Sequence, residues 1–239
     1  MTAMIGLFPT CLGDAVHPRV VADAGRVLRA AGVEPAPIPG ATCCGQPAWN
    51  AGFTRDARRV ARRTLRAVAD LDAVVVPSGS CAAMMRLHWP QLFAGDRDAA
   101  LAARVAPRVF ELSQYLVEEL DAGPIGSPTG RTVSYHDSCH MLRELRLHDP
   151  PRVLLRGVAD LQELPRSDRC CGFGGAFAVR YPDVSTAMAD DKLASAATAG
   201  AVTLASADPG CVMQIEGRAS RTGAGVRVVH LATVVAEAL

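Results

Sequence analysis

The sequence predicts an α/β protein made of two pseudo-repeated units, each a mainly parallel sheet flanked by helices, with cysteine sites at the strand carboxyl ends. Three observations lead there. The eight cysteines fall into two sets, Cys11, Cys43, Cys44 and Cys81, then Cys139, Cys170, Cys171 and Cys211, with each member of the second set 127 to 130 residues beyond its counterpart. Flanking text repeats in step: "MIGLFPTC" matches "TVSYHDSC", and "AVVVPSGSC" matches "AVTLASADPGC". Short apolar runs alternate with helical patterns, and Cys11, Cys81, Cys139 and Cys211 stand just after the predicted strands.

The elements follow in chain order. Met4 to Pro9 reads as a short apolar strand ending at Thr10-Cys11. Val20, Val21, Ala24, Val27 and Leu28 have helical spacing from about Pro18 to Ala31, and Gly32 closes the helix. After Cys43-Cys44-Gly45 comes an arginine-rich helix, about Thr54 to Asp70, with Ala57, Ala61 and Leu65 on its apolar side. Ala73 to Val76 is a buried strand that delivers the chain to "PSGSC", and a helix begins at Ala82. Val109 to Leu120 reads as a short strand or turn feeding a helix. The Gly-, Pro- and Ser-dense run "DAGPIGSPTG" supplies the join, giving a first unit at 1–122, a linker at 123–130 and a second unit at 131–239. The second unit then predicts a strand at Arg131 to Tyr135, helices at about Pro151 to Val158 and Asp183 to Ala199, and a strand at Ala201 to Ala205. A short helix after Cys211 and a final strand turning into a helix complete it.

Nearly half of the 239 residues are hydrophobic (49%), enough to bury a sizeable core, which excludes wholesale disorder. The formal charge is +1, so nothing marks a nucleic-acid or anionic-membrane surface. Lys192 is the one lysine among the basic residues, a bias that reads as genome composition. No stretch approaches a transmembrane span, and "MTAMIGLFPTCLGD" lacks the basic start of an export signal, so a cytoplasmic location is expected. In a reducing compartment eight cysteines point to metal or catalysis instead of disulfides.

Four clustered thiolates repel one another unless a cation compensates them, so each set predicts a metal centre. Zinc fingers space their ligands as C-x2-4-C knuckles, whereas here 31 and 36 residues separate the ligands of the first set, and 30 and 39 those of the second. Iron–sulfur clusters also take four cysteine thiolates, and a cluster can accept adjacent cysteines on different irons. Gly45, Gly79, Gly172, Gly174, Gly175 and Gly210 beside the cysteines would let the backbone approach such a group. The spacing alone does not identify the metal, and zinc in one repeat stays open.

The order Cys, Cys-Cys-Gly, Cys, given twice, resembles the cysteine-rich CCG family, which includes the B subunit of heterodisulfide reductase and iron–sulfur subunits of glycolate oxidase and anaerobic glycerol-3-phosphate dehydrogenase. "TCCGQPAWNAG", "PSGSCAAM", "YHDSCHMLREL", "CCGFGGAFAVRYPDVSTAMADDK" and "DPGCVM" look closest to its lactate-utilisation members, and these blocks span Cys11 to Met213. The resemblance implies an iron–sulfur subunit of a system that oxidises L-lactate to pyruvate. It further implies a [4Fe–4S] cluster in each repeat, held by the eight cysteines. Its expected partners are a ferredoxin-like iron–sulfur subunit, a third lactate-utilisation subunit, and lactate or an electron acceptor. In the heterodisulfide reductase subunit the last cysteine of each motif belongs to C-x-x-C, but here Met84 and Gln214 hold the fifth positions. That argues against the noncubane cluster and for a four-thiolate one. The alternatives are a zinc-binding assembly scaffold and a heterodisulfide-reductase-like subunit.

Around the sites, His136 and His140 are expected either to tune a cluster through hydrogen bonds or to pack, and Asp137 to cap a helix near Cys139. Asp208 and Ser80 are expected as caps. Trp49 and Phe173 either shield a cluster from water or pack in the core. Arg55, Arg58, Arg59, Arg62, Arg63 and Arg66 predict a solvated basic face. No nicotinamide or flavin fingerprint is present, since "GFGGAF" is only a partial glycine pattern.

Overall fold

Short runs of β-branched and apolar residues build two parallel sheets in the computed structural model, which describes residues 3–239; the first two positions of the expected first unit lie outside the described residues. The first sheet contains β1 (Ile5–Leu7), β2 (Ala73–Val76) and β3 (Val109–Glu111), in that spatial order. Ile5 pairs with Ala73, and Val74 with Val109. The second contains β4 (Thr132–Tyr135), β5 (Asp160–Glu163), β6 (Thr203–Ser206) and β7 (Arg227–His230), in the order β5-β4-β6-β7. Val133 pairs with Leu161 on one side and Thr203 on the other. Thus β1, β2 and β3 correspond to β4, β6 and β7. At the place of β5 the first unit has a single parallel bridge, Gly6 to Ala36.

The helices in chain order are α1 (Cys11–Ala15), α2 (Pro18–Ala30), α3 (Gln46–Asn50), α4 (Thr54–Ala67), α5 (Gly79–Ala83), α6 (Trp89–Leu92), α7 (Ala99–Val105) and α8 (Leu112–Gln114). The second unit adds α9 (Asp149–Val158), α10 (Phe177–Arg180), α11 (Pro182–Thr198), α12 (Pro209–Thr222) and α13 (Leu231–Ala236). π-helical turns at Met84–His88, Tyr115–Glu119 and His140–Leu145 extend or replace α-helix. Two expectations change. β5 was not foreseen, and the helix after Cys211 is not short: α12 runs 14 residues.

β2 is buried on both faces, as a central parallel strand must be. Val74 and Val76 pack in a cluster of the first unit, while Ala73 and Val75 join a cluster common to both units. That shared cluster brings Val27 and Leu28 of α2 together with Leu112, Val133, Leu155 of α9 and Val234 of α13. The run 123–130 carries no helix or strand, but it is docked. Ile125 is buried in the shared core, the Ser127 N–H donates to the Ala238 carbonyl (3.0 Å), and the Thr129 N–H donates to the Val158 carbonyl (2.8 Å).

Candidate metal centres

The first cysteine set assembles where β1 and β2 end. Thr10, at φ 56°, turns the chain out of β1 and caps α1 by accepting from the Gly13 N–H (2.9 Å), which places Cys11 at the first helical position. Ser78 caps α5 after β2 and accepts from the Cys81 N–H at 3.3 Å. Between them, the Cys43-Cys44 loop turns at Gly45, whose φ of 92° and tight seat (a Cβ would lie 2.8 Å from the Ala57 carbonyl oxygen) admit no side chain comfortably. Thr64 Oγ1 donates to the Cys43 carbonyl (3.0 Å), and Trp89 Nε1 to that of Cys44 (2.9 Å). The sulfurs of Cys44 and Cys81 stand 3.4 Å apart, and Cys43 Sγ is hydrogen-bonded to the Cys11 thiol and to the Gly45 N–H (3.4 Å).

The second set repeats this construction. Cys139 follows β4, and Cys211 lies in the first turn of α12, which Asp208 caps by accepting from the Gly210 N–H (3.0 Å). Gly172, at φ 86°, would put a Cβ 2.5 Å from the Ser185 carbonyl, and Ser185 Oγ donates to its carbonyl oxygen (2.8 Å). Cys171 and Cys211 have sulfurs 3.1 Å apart; Cys170 Sγ receives the Gly172 N–H at 3.4 Å and has the free thiol of Cys139 as a neighbour. All eight predicted cysteines are therefore gathered, four to a site.

The thiols share protons unequally. Hydrogen bonds from Cys11 and Cys44 hold the Cys43 thiol down at about 3, and the same contacts push Cys11 and the fully buried Cys44 up. Hydrogen bonds from Cys139 and Cys171 hold Cys170 at about 2, while Cys139 and Cys171 are pushed up by their bonds to Cys170 and by burial. Without a cation, neighbouring thiols keep their protons to support one thiolate. A metal centre removes that constraint, so the donor set fits a thiophilic metal or cluster that displaces protons on binding.

The two sites differ beyond the cysteines. Phe8 occupies the position after β1 and is buried in the apolar cluster that also contains Cys44 and Cys81. Its counterpart His136 is fully buried, makes no well-formed hydrogen bond at either ring nitrogen, and lies with Cys171 and Cys211 in a group whose ligand atoms are all within 4.8 Å. Burial pushes its imidazole down to about 4, so the ring is neutral. Lys192, at the place of Thr64, is 1% exposed and donates from Nζ to the carbonyls of Arg166 (3.0 Å) and Ser167 (3.1 Å). The sequence marked Lys192 only as the sole lysine; that rarity was the one signal available.

Several flanking expectations are corrected. Asp137 is not a cap: its two oxygens take a bidentate pair of bonds from Arg152 (2.8 Å each), whose Nε reaches Glu163 (2.8 Å) and whose guanidinium lies 5.4 Å from the Tyr135 ring centroid. Ser78, not Ser80, caps α5, and the Ser80 N–H donates across to Asp208 Oδ2 (2.7 Å). The arginine face of α4 is tied down in part. Arg58 donates to the Leu92 carbonyl, and Arg62 pairs with Asp96 and Asp98. Gln214 donates to Ser185 Oγ (2.8 Å) and not to sulfur, and Met84 is buried in the apolar core. Trp49 stacks near His88 (5.7 Å between centroids).

The sites face each other across the join between the units. A cavity of about 250 Å³ is lined by Cys11, Cys44 and Cys81 from one side, and by Phe173, Asp208 and Gly210 from the other. His140 lies on this join, with Nε2 3.0 Å from the Gln46 amide nitrogen and Nδ1 3.5 Å from Cys139 Sγ. Glu144 Oε1 also lies 3.7 Å from Nε2, so the ring bridges the join, the acidic side chain and the Cys139 sulfur.

Duplicated four-cysteine sets at the ends of parallel strands define a cysteine-rich class of protein. The chain belongs to the cysteine-rich domain (CCG) family, whose model matches residues 5–86 and 133–216. Its relatives include lactate utilization protein A of Geobacillus kaustophilus (strain HTA426), 40% identical over 233 residues that cover 96% of this chain and 97% of that protein. Lactate utilization protein A of Shouchella clausii (strain KSM-K16) is 41% identical with the same coverage. Lactate utilization protein A 2 of Bacillus cereus (strain 03BB102) is 38% identical over 98% of each chain. No helix among the described residues is long and apolar enough to cross a membrane.

Proposed function

We propose that this chain is an iron–sulfur subunit of a cytoplasmic system oxidising L-lactate to pyruvate, with Cys11, Cys43, Cys44 and Cys81 holding one [4Fe–4S] cluster and Cys139, Cys170, Cys171 and Cys211 another. The observation that carries the reading is the close sulfur pair at each site, Cys44–Cys81 and Cys171–Cys211, with the other two cysteines of each set as neighbours, in a chain whose relatives are named for lactate utilisation. A bound [4Fe–4S] cluster would supply one-electron transfer. The residues around it hold and tune the ligands. The Gly45 and Gly172 N–H groups donate to the Cys43 and Cys170 sulfurs, and His140 Nδ1 lies 3.5 Å from the Cys139 sulfur. Burial of Cys44, Cys81, Cys171 and Cys211 keeps water from half of each donor set. The chain works as a component, with a ferredoxin-like iron–sulfur subunit and a third subunit completing the lactate-oxidising system. Electron paramagnetic resonance of the anaerobically prepared protein tests this. A dithionite-reducible signal with a component lost in Cys171→Ser is expected; a protein silent under reduction would refute it.

A further inference from the structure

We infer that His136 is a nitrogen ligand of the second metal centre, bound to one iron in place of one of that set's four thiolates, which makes that centre a mixed sulfur–nitrogen site and leaves the first all-thiolate. The inference rests on the reading that the second cysteine set binds an iron–sulfur cluster. Three observations carry it.

The first is the under-paired ring. His136 is fully buried, and neither Nδ1 nor Nε2 makes a well-formed hydrogen bond, the Ser167 backbone being near enough only for a weak contact. A histidine kept merely for packing is expected to be paired fully with a carbonyl or a water. The second is direction. A ring nitrogen of His136 and the sulfurs of Cys171 and Cys211 all lie within 4.8 Å of one another, a spread that donors around one metal ion can close.

The third is the internal control that the duplication provides. His136 and Phe8 occupy the same place in the two units: each follows the first strand and precedes a cysteine by three residues. The His136 N–H donates to the Ala205 carbonyl of β6 (2.8 Å), as the Phe8 N–H does to Val75 of β2 (2.9 Å). One backbone position thus carries a phenyl ring in the apolar cluster that holds Cys44 and Cys81, and an imidazole beside Cys171 and Cys211. Phenyl fills space and cannot ligate. Imidazole supplies a neutral donor, and where it replaces an anionic thiolate on iron it raises a cluster's reduction potential. Lys192, whose charge interacts with Cys171 and Cys211, acts in the same direction. The second centre is therefore the higher-potential end of the pair, and electrons passing between the sites run from the first to the second.

Nitrogen hyperfine spectroscopy (ENDOR or ESEEM) decides it, on full-length protein reconstituted anaerobically with iron and sulfide and carrying 15N-histidine. The wild-type protein and His136→Phe, which installs the first unit's own residue, are compared. A directly coordinated 15N coupling present in the wild type and lost in His136→Phe, with the second centre's potential lowered in His136→Cys, supports the assignment. Iron and sulfide bound at the second set with only the weak coupling of a hydrogen-bonded nitrogen overturns the ligation, while the proposed function stands. Absence of iron from the second set, read as unchanged iron content in Cys171→Ser, overturns both. Circular dichroism of His136→Phe separates loss of the ligand from loss of the fold.

Discussion

At the scale of single residues, the polar groups buried between the units set how the protein responds to acid. His230 ends β7, is fully buried, and caps α13 by accepting the Ala232 N–H at Nδ1 (3.1 Å). Burial pushes its imidazole from 6.5 down to about 4. The folded protein therefore binds fewer protons than the unfolded chain between these values. Stability from His230 is complete above pH 6.5 and is lost as the pH falls towards 4. At about 1.4 kcal/mol per pH unit, the loss between pH 7.5 and pH 5 is about 2 kcal/mol. His230→Asn retains a capping oxygen and removes the titration. Urea unfolding at the two pH values should show a difference smaller by that amount in the variant; an equal difference in both proteins would count against it. Arg152 illustrates a different limit at the same scale. Its bidentate pair with Asp137 joins residues 15 apart in sequence, and nothing local in "YHDSCH" foretells the partner. A helix cap was the nearest local use for that aspartate, and the buried guanidinium supplied a better one.

At the scale of elements, each site hangs on one glycine turn. Gly172 lies at φ 86° against the Ser185 carbonyl, and Gly45 at φ 92° against that of Ala57. Gly172→Ala should cost about 1–3 kcal/mol and move the Cys170-Cys171 pair off its partners. Chemical denaturation should report the loss, and iron analysis should find the second set emptied with the first intact. Retention of both would show that the loop yields without consequence. The elements readable in advance were those whose periodicity is set by burial: β2, with all four residues buried, matches Ala73 to Val76, and α2 starts at Pro18 as its apolar spacing required. β5 was not readable, because "DLQE" forms a sheet edge with Asp160, Gln162 and Glu163 exposed or nearly so, and carries no apolar alternation. The cysteine sets were legible through their register in the duplication. Which sulfurs the two histidines in "YHDSCH" would face was not, since that depends on where β4 ends. Aligning His136 with Phe8 gives the position, but only packing gives the direction of the ring.

At the scale of the molecule, the duplication does not produce two independent cores. Val27 and Leu28 from the first unit and Leu155 and Val234 from the second lie in one buried cluster, and the 123–130 run is pinned to the second unit. Full-length apoprotein should unfold in a single cooperative transition by calorimetry, and residues 1–122 or 131–239 alone should expose apolar surface and bind a hydrophobic dye. Two separate transitions would show the units to be autonomous. This sharing also explains why the sites confront each other: Ser78 and Asp208, the caps of α5 and α12, lie 3.3 Å apart across the join, each three residues before a cysteine of its set. Two centres held this way suit transfer between them, and the central claim is that both are iron–sulfur clusters. The most direct test is iron, acid-labile sulfide and zinc analysis of protein purified without oxygen. Iron and sulfide in equal amounts, roughly halved by Cys44→Ser or by Cys171→Ser, are predicted; stoichiometric zinc without sulfide would contradict the account.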